Sequence, residues 1–192
     1  MQSYEMHGKL EIIMGCMFSG KTSTLLTVIE KHKRANLNVL VINHSSDTRY
    51  TTASTLCTHD KQCVSCVMLD DLSNVYDLPC YSSCHIILID EGQFFINLRR
   101  HVLRLVEEDC KHVIVAGLDG DYKREGFKEM LDIIPLADEI IKLKAYCVRC
   151  KDGTPAIFSK RRGNSQHDSN VLVGGVNEYE ALCRQHFLAE CS

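Results

Sequence analysis

The sequence predicts an α/β fold, a parallel sheet flanked by helices, followed by a small second unit of a different kind. Three observations carry that prediction. Apolar runs of strand length alternate with segments of helical period as far as Leu143. The first run leads directly into Gly15-Cys-Met-Phe-Ser-Gly20-Lys21-Thr22, which reads G-x-x-x-x-G-K-T. After Lys144 the alternation stops and pairs of metal-ligating residues take over.

The first run (Leu10, Ile12, Ile13, Met14) suits a buried strand and Thr24 to Arg34 suits a helix, with Leu25, Leu26 and Ile29 as its stripe and Glu30 to Arg34 as its solvated end. A loop wrapped around a polyphosphate needs backbone N–H groups pointing inward, hence glycine where the chain turns or approaches the anion. Gly15 and Gly20 supply that around Cys16, Met17, Phe18 and Ser19, Lys21 reaches the β/γ oxygens, and Thr22 offers a hydroxyl to Mg²⁺. The expected ligand is ATP with Mg²⁺, and the fold becomes a P-loop, RecA-like sheet.

Asn38 to Asn43 is a continuous apolar run, as in a parallel strand covered on both faces. The polar stretch from His44 to Asp60 reads first as a solvated loop, yet a loop at the carboxyl end of a parallel strand makes Asp47 and Arg49 site candidates. Cys63 to Leu69 reads as one strand. Its alternation sends Cys63 and Cys66 to opposite faces, so buried thiols are preferred to a metal site shared with Cys80 and Cys84. His85 to Asp90 is a buried strand that delivers a carboxylate to Mg²⁺, and Glu91 beside it can take a proton. Asn97 to Cys110 suits a helix with Val102, Leu103 and Val106 inward and its arginines outward. Lys111 to Gly117 is the next strand, Leu118 to Asp121 the loop leaving it, Phe127 to Ile133 a packed helical segment, and Glu139 to Leu143 the last strand.

Two domains follow, a P-loop domain over residues 1–144 and a zinc-binding unit over 145–192. Cys147-x-x-Cys150 and Cys183-x-x-His186, separated by about thirty residues, suit a structural zinc with three thiolates and one imidazole. Between the pairs, Ser159 to Asn170 is polar, Val171 to Gly175 ends in two glycines that allow a close backbone approach, and Lys160-Arg161-Arg162 reads as a solvated face.

Composition narrows the function. The 192 residues carry a net charge of −3, 45% hydrophobic and 24% charged residues and three prolines, which argues against a dedicated duplex-DNA binder. No apolar run reaches membrane-spanning length, and Met1 to Gly8 lacks the layout of a signal peptide, so a cytoplasmic protein is expected. Eleven cysteines, an odd number, then point to reduced thiols and metal ligation rather than a disulfide framework.

The chain resembles the type II thymidine kinases, the cytosolic and viral class with a zinc-bearing lasso, almost end to end: GCMFSGKT, DTRY, CTHD, DEGQFF, LDG, C-x-x-C, VGG and Tyr179. The resemblance implies transfer of the ATP γ-phosphoryl group to the 5′-hydroxyl of thymidine, with Glu91 as catalytic base, Lys21 and Arg49 assisting, and Asp90 and Thr22 serving Mg²⁺. It places Asp47, Thr48, Gly92 and Gln93 among the ATP and Mg²⁺ contacts. It lines the base pocket with Met17, Phe94, Leu118, Tyr122 and Phe127, aligns Ser159 with a base-contacting threonine, and lets Tyr179 fix the nucleoside. Asn170, Val171, Leu172, Val173 and Gly174 hold thymine through main-chain bonds in this picture. A homotetramer is implied too. Deoxyuridine is expected as a weaker substrate because it keeps the hydrogen-bonding pattern of thymidine and lacks only the 5-methyl, and the negative net charge with one short basic run argues against direct nucleic-acid contact. This chain departs from the family in three places: His186 stands where many relatives have cysteine, Tyr122 where they often have phenylalanine, and the loop before Asn170 is longer. Two other classes share the phosphate loop, a DNA-dependent RecA-like ATPase with the zinc unit on DNA and a nucleotide-dependent interaction protein without turnover. Dependence of ATP consumption on thymidine or on DNA separates them.

Overall fold

A strand covered on both faces has no polar side, and the chain stacks its continuous apolar runs side by side. The computed structural model describes residues 7–47, 55–57, 62–162 and 178–189. In chain order the first unit runs β1 (Lys9–Gly15), α1 (Lys21–Arg34), β2 (Val39–His44), β3 (Thr55–Cys57), β4 (Cys63–Ser65), β5 (Val67–Leu69), β6 (Ile86–Ile89), α2 (Leu98–Leu103), β7 (His112–Gly117), α3 (Lys128–Leu131) and β8 (Glu139–Leu143). Six strands form one parallel sheet in the order β5-β2-β6-β7-β1-β8. All four residues of β6 are buried, whereas edge strand β8 exposes Glu139, Ile140 and Lys142. That is the contrast expected between a doubly covered strand and an edge.

The sheet separates two apolar layers. On one face Leu10, Ile12, Ile42, Ile87, Ile89 and Val113 meet Phe95, Leu98, Val102, Leu105 and Met130. On the other, Ile13, Val41, Leu88 and Ile114 meet Leu25, Leu26 and Ile29 of α1. Because β7 lies between β6 and β1, with Met14 paired to Gly117 and Ile89 to Val115, the residues that leave these three strands emerge together at the carboxyl edge.

Several expectations need correction. Cys63 to Leu69 is not one strand: β4 pairs antiparallel with β3, and β5 pairs parallel with β2 in the main sheet, with Cys66 at the break. Cys57 and Cys63 face each other across the β3–β4 hairpin and are joined by a disulfide, so the all-thiol expectation fails there. Cys66, Cys80 and Cys84 are free; Cys80 is exposed rather than buried. The helix after Asn97 buries Leu98, Val102 and Leu105, while Leu103 and Val106 are half-buried. At 100° per residue the first three lie within one narrow stripe, Val106 falls at its margin and Leu103 well outside it. The helix closes in a π turn, Arg104–Glu108, with Asp109 N donating to Arg104 O at 2.9 Å. The segment from Phe127 forms only one α turn before a 3₁₀ turn at Ile134–Leu136.

The second unit pairs β9 (Ala145–Tyr146) with β10 (Pro155–Ala156) and β11 (Phe158–Arg161) with β12 (Tyr179–Leu182), both antiparallel, and ends in α4 (Arg184–Ala189). Its core joins Ala145, Cys147, Ala156, Leu182, Cys183 and Phe187 to one residue of the phosphate loop, Cys16. No helix of the described residues is long and apolar enough to cross a membrane.

Phe95 is fully buried between the sheet and α2, with its ring edge-on to His44 at 4.7 Å. Phe95→Ala should therefore lower the unfolding free energy by about 3–5 kcal/mol. A denaturant titration showing a loss under about 1 kcal/mol would mean the ring is not a core contact.

Candidate active site

The loop between β1 and α1 is shaped by close approach. A side chain at Gly15 would meet Leu143 O at 2.5 Å and Ser19 Oγ at 2.9 Å, and Gly20 caps α1 at φ 86, in the left-handed region. The Lys21 ammonium is buried and folds back over the loop, donating to Gly15 O at 3.2 Å and Cys16 O at 3.0 Å. Ser19 Oγ is buried without a hydrogen-bond partner, and the N-terminus of α1 has no side-chain cap. A buried cation, an orphan hydroxyl and uncapped helix amides fit a polyphosphate.

Asp90, at the end of β6, accepts from Thr22 Oγ1 at 3.2 Å through one carboxylate oxygen and from Glu91 N at 2.9 Å through the other. Glu91 is buried in the left-handed region at φ 54, an uncommon conformation for a residue with a side chain. Its carboxylate accepts from Gln93 Nε2 at 2.5 Å, and Gln93 Oε1 accepts from Leu118 N at 2.9 Å. Gln93 thereby bridges the end of β6 to the end of β7, and Gly92 just before it is buried at the start of the same 3₁₀ turn.

Asp47 is buried and accepts from Asn43 Nδ2 at 3.1 Å. Next to Asn43, His44 lies against Phe94 at 5.5 Å and Phe95 at 4.7 Å. Burial holds its imidazole below the ordinary histidine range, opposed by the main chain of Asp70 and the charges of Asp70 and Glu91. Nδ1 accepts from Ser46 N at 3.1 Å. Burial likewise pushes the Cys66 thiol up to about 11, with Asp90 and Asp47 adding to the effect, so this cysteine is an inert neighbour of the carboxylates.

The remaining candidates surround this edge. Met17 is buried, and Leu118, Phe94, Tyr122 and Phe127 are half-buried. Ser159 does something its sequence position did not announce: its buried Oγ accepts from Met17 N at 2.9 Å and so ties β11 to the phosphate loop. Cys16 Sγ adds a contact to Ala156 O at 3.5 Å. Tyr179 opens β12 and is buried opposite Arg161. Thr48, Arg49, Asn170, Val171, Leu172, Val173 and Gly174 lie outside the described residues. Sequence reasoning missed Asn43 and His44, whose signal was a polar pair ending an apolar strand at the carboxyl edge.

Cys147, Cys150, Cys183 and His186 bring their ligand atoms within 4.8 Å of one another. His186 Nδ1 lies 3.5, 3.2 and 3.4 Å from the sulfurs of Cys147, Cys150 and Cys183. The first pair sits on a tight hairpin in which Cys147 N donates to Thr154 O and Lys151 and Gly153 take positive φ; the second straddles the start of α4. Burial pushes the Cys147 thiol up, but backbone N–H groups of Cys183, Cys150 and Arg149 and the His186 ring outweigh it and bring it down to about 6. Three sulfurs and an imidazole converging in this way are the donor set of a structural zinc site. Among the described residues it is the one such cluster, and Cys63, Cys66, Cys80 and Cys84 form none.

A parallel sheet whose first strand opens into a G-x-x-x-x-G-K-T loop, facing two consecutive carboxylates, defines a P-loop phosphotransferase of the α/β class. A profile of the family described as Thymidine kinase matches residues 8–187. The chain is 40% identical to a thymidine kinase of Oryza sativa subsp. japonica over 94% of its own length and 66% of that protein's. It is 40% identical to thymidine kinase a of Arabidopsis thaliana over 94% and 75%. With a thymidine kinase of variola virus it shares 36% identity over 94% of this chain and 97% of the other. The chain belongs to the thymidine kinase family, and its function is that of an ATP-using thymidine kinase.

Elemental analysis should find about one zinc per chain, and Cys150→Ser should lose most of it and lower thermal stability, because structural zinc contributes directly to folding. Full zinc in that variant would move the metal elsewhere.

Proposed function

We propose that Glu91 is the general base in transfer of the ATP γ-phosphoryl group to the 5′-hydroxyl of thymidine. The observation that carries this is the Thr22–Asp90 contact at 3.2 Å beside a Glu91 carboxylate held by Gln93. Phosphoryl transfer needs positioning and charge neutralisation more than covalent help. Loop amides and Lys21 hold the β/γ oxygens, Asp47 stands near the reacting groups, and the motif resemblance gives Arg49 a part in the same step. Thr22 and Asp90 would hold Mg²⁺, which supplies neutralising charge to the triphosphate; a hydroxyl and a single carboxylate are a typical donor set for that ion. The Glu91 carboxylate accepts the 5′-hydroxyl proton as the oxygen bonds to the γ-phosphorus. The bond from that phosphorus to the β,γ-bridging oxygen breaks, and its electron pair leaves with ADP.

Met17, Phe94, Leu118, Tyr122 and Phe127 form the base pocket in this proposal, with Tyr179 beyond them. The separate small core around Cys147, Cys183 and Phe187 supports a boundary near residue 144. The proposal extends to a homotetramer, on the strength of the motif resemblance, and to a cytoplasmic protein that also accepts deoxyuridine, which keeps the hydrogen-bonding pattern of thymidine.

Glu91→Gln keeps size and hydrogen bonding but cannot take the proton, so turnover should fall by about 10²–10⁴-fold with nucleoside binding retained. More than half the activity left would remove Glu91 from the role. A buried 5-methyl is worth about 1 kcal/mol, so kcat/KM for thymidine should exceed that for deoxyuridine by roughly fivefold. Equal values in a competition assay would take Met17 and Leu118 out of contact with that methyl.

A further inference from the structure

The loop that carries Leu118, Tyr122 and Phe127 is a tight hairpin. Gly120 bridges Gly126, Asp121 N donates to Glu125 O at 2.8 Å, and Arg124 N donates to Asp121 O at 3.1 Å. The Asp121 carboxylate accepts the main-chain N–H groups of Lys123 and Glu125, each at 2.8 Å. These bonds present Arg124 at the tip with φ 72, a left-handed conformation that glycine or asparagine would adopt at lower cost. An arginine at such a position calls for a use of its side chain.

The use is visible across the gap to the zinc unit. The Arg124 guanidinium lies 5.0 Å from the ring centroid of Phe187 and 5.8 Å from that of Phe158, within cation–π range. Phe187 is buried in the core of that unit, packs on Phe158 at 5.0 Å, and directly follows the zinc-ligand candidate His186. Lys160 and Arg184 also lie over these rings, but they belong to the zinc unit, so these two ring contacts stay within it. A reciprocal contact runs the other way, with Arg161 of β11 lying 5.7 Å over the ring of Tyr122. The hairpin and the zinc unit thus each send an arginine onto an aromatic ring of the other.

We propose that Arg124 is a positioning residue for the nucleoside: its guanidinium clasps the 118–127 hairpin to the Phe158–Phe187 face of the zinc unit and thereby sets the pocket wall. The proposal rests on the reading of Leu118, Tyr122 and Phe127 as that wall. It gives the zinc unit a route to the base side of the site as well as to the phosphate loop, where Cys16 already joins its core. The tie from Ser159 to Met17 acts on the phosphate side, and the Arg124 clasp acts on the base side.

Steady-state kinetics of the full chain, with thymidine and ATP varied separately, test it. Arg124→Gln keeps length and hydrogen bonding without the charge, and should raise KM for thymidine by about three- to thirtyfold, the range of one such contact. KM for ATP, kcat and zinc content should stay within about twofold. Arg124→Lys, which keeps a cation for the ring, should restore most of the thymidine KM. Leu118→Ala and Phe127→Ala serve as the control for the wall. If both leave KM for thymidine unchanged, the pocket reading falls. If they raise it while Arg124→Gln does not, the clasp alone falls. A parallel rise in KM for ATP, or a lysine variant as poor as glutamine, would also overturn the clasp, since general loosening or guanidinium-specific bonding would then be the cause.

Discussion

Burial of charge at one edge of a sheet is the constraint from which the rest of this structure follows. Lys21, Asp47, Asp90 and Glu91 are each no more than 9% exposed and gather where β1, β2 and β6 end. A buried ion is costly unless hydrogen-bonded, and an interior that holds several must supply partners from rigid elements. Each has them: loop carbonyls for Lys21, Asn43 for Asp47, Thr22 and a main-chain N–H for Asp90, Gln93 for Glu91. The partners come from strands whose register is set by doubly covered apolar residues. Precision at the edge is therefore inherited from the core beneath it.

The zinc unit belongs to the same economy of support. Its core takes in Cys16, and its strand β11 places the Ser159 hydroxyl against the Met17 amide, so the phosphate loop is backed by a second scaffold rather than by solvent. A loop held from both sides loses less entropy when it closes on an anion. A metal held by the Cys147, Cys150, Cys183 and His186 cluster would add, to the short strands and α4, what a unit this small could not obtain from apolar area alone.

Much of this was legible in the sequence, for identifiable reasons. Strands buried on both faces must be continuous apolar runs, which made β1, β2, β6 and β7 readable. Ligands three apart in two pairs made the Cys147–His186 cluster readable, and the phosphate loop carries its own chemistry in its glycines, lysine and threonine. What escaped depends on register and long-range approach. Nothing in the polar run from Ser159 onward distinguishes a hydroxyl that faces solvent from one that meets Met17. The spacing of Cys57 and Cys63 does not reveal that a hairpin sets them opposite each other, nor does the short run after Cys63 show that the chain changes sheets at Cys66. The side-chain amide of Gln93 gives no local sign that it spans two strand ends.

The π turn at Arg104–Glu108 has a consequence for how this chain can change length. Such a turn accommodates one residue more than a regular helical turn would. Just beyond it, Lys111 N donates to Leu105 O at 2.8 Å, which fixes where the next strand starts. Loss of one residue inside the turn would leave an ordinary helix and an undisturbed β7. The same loss at the start of β7 would invert the side chains that follow it in a central strand, sending Val113 and Val115 to the layer that holds Ile114. Insertions and deletions among descendants of this sequence should accumulate at the turn, a few residues before a strand that tolerates none.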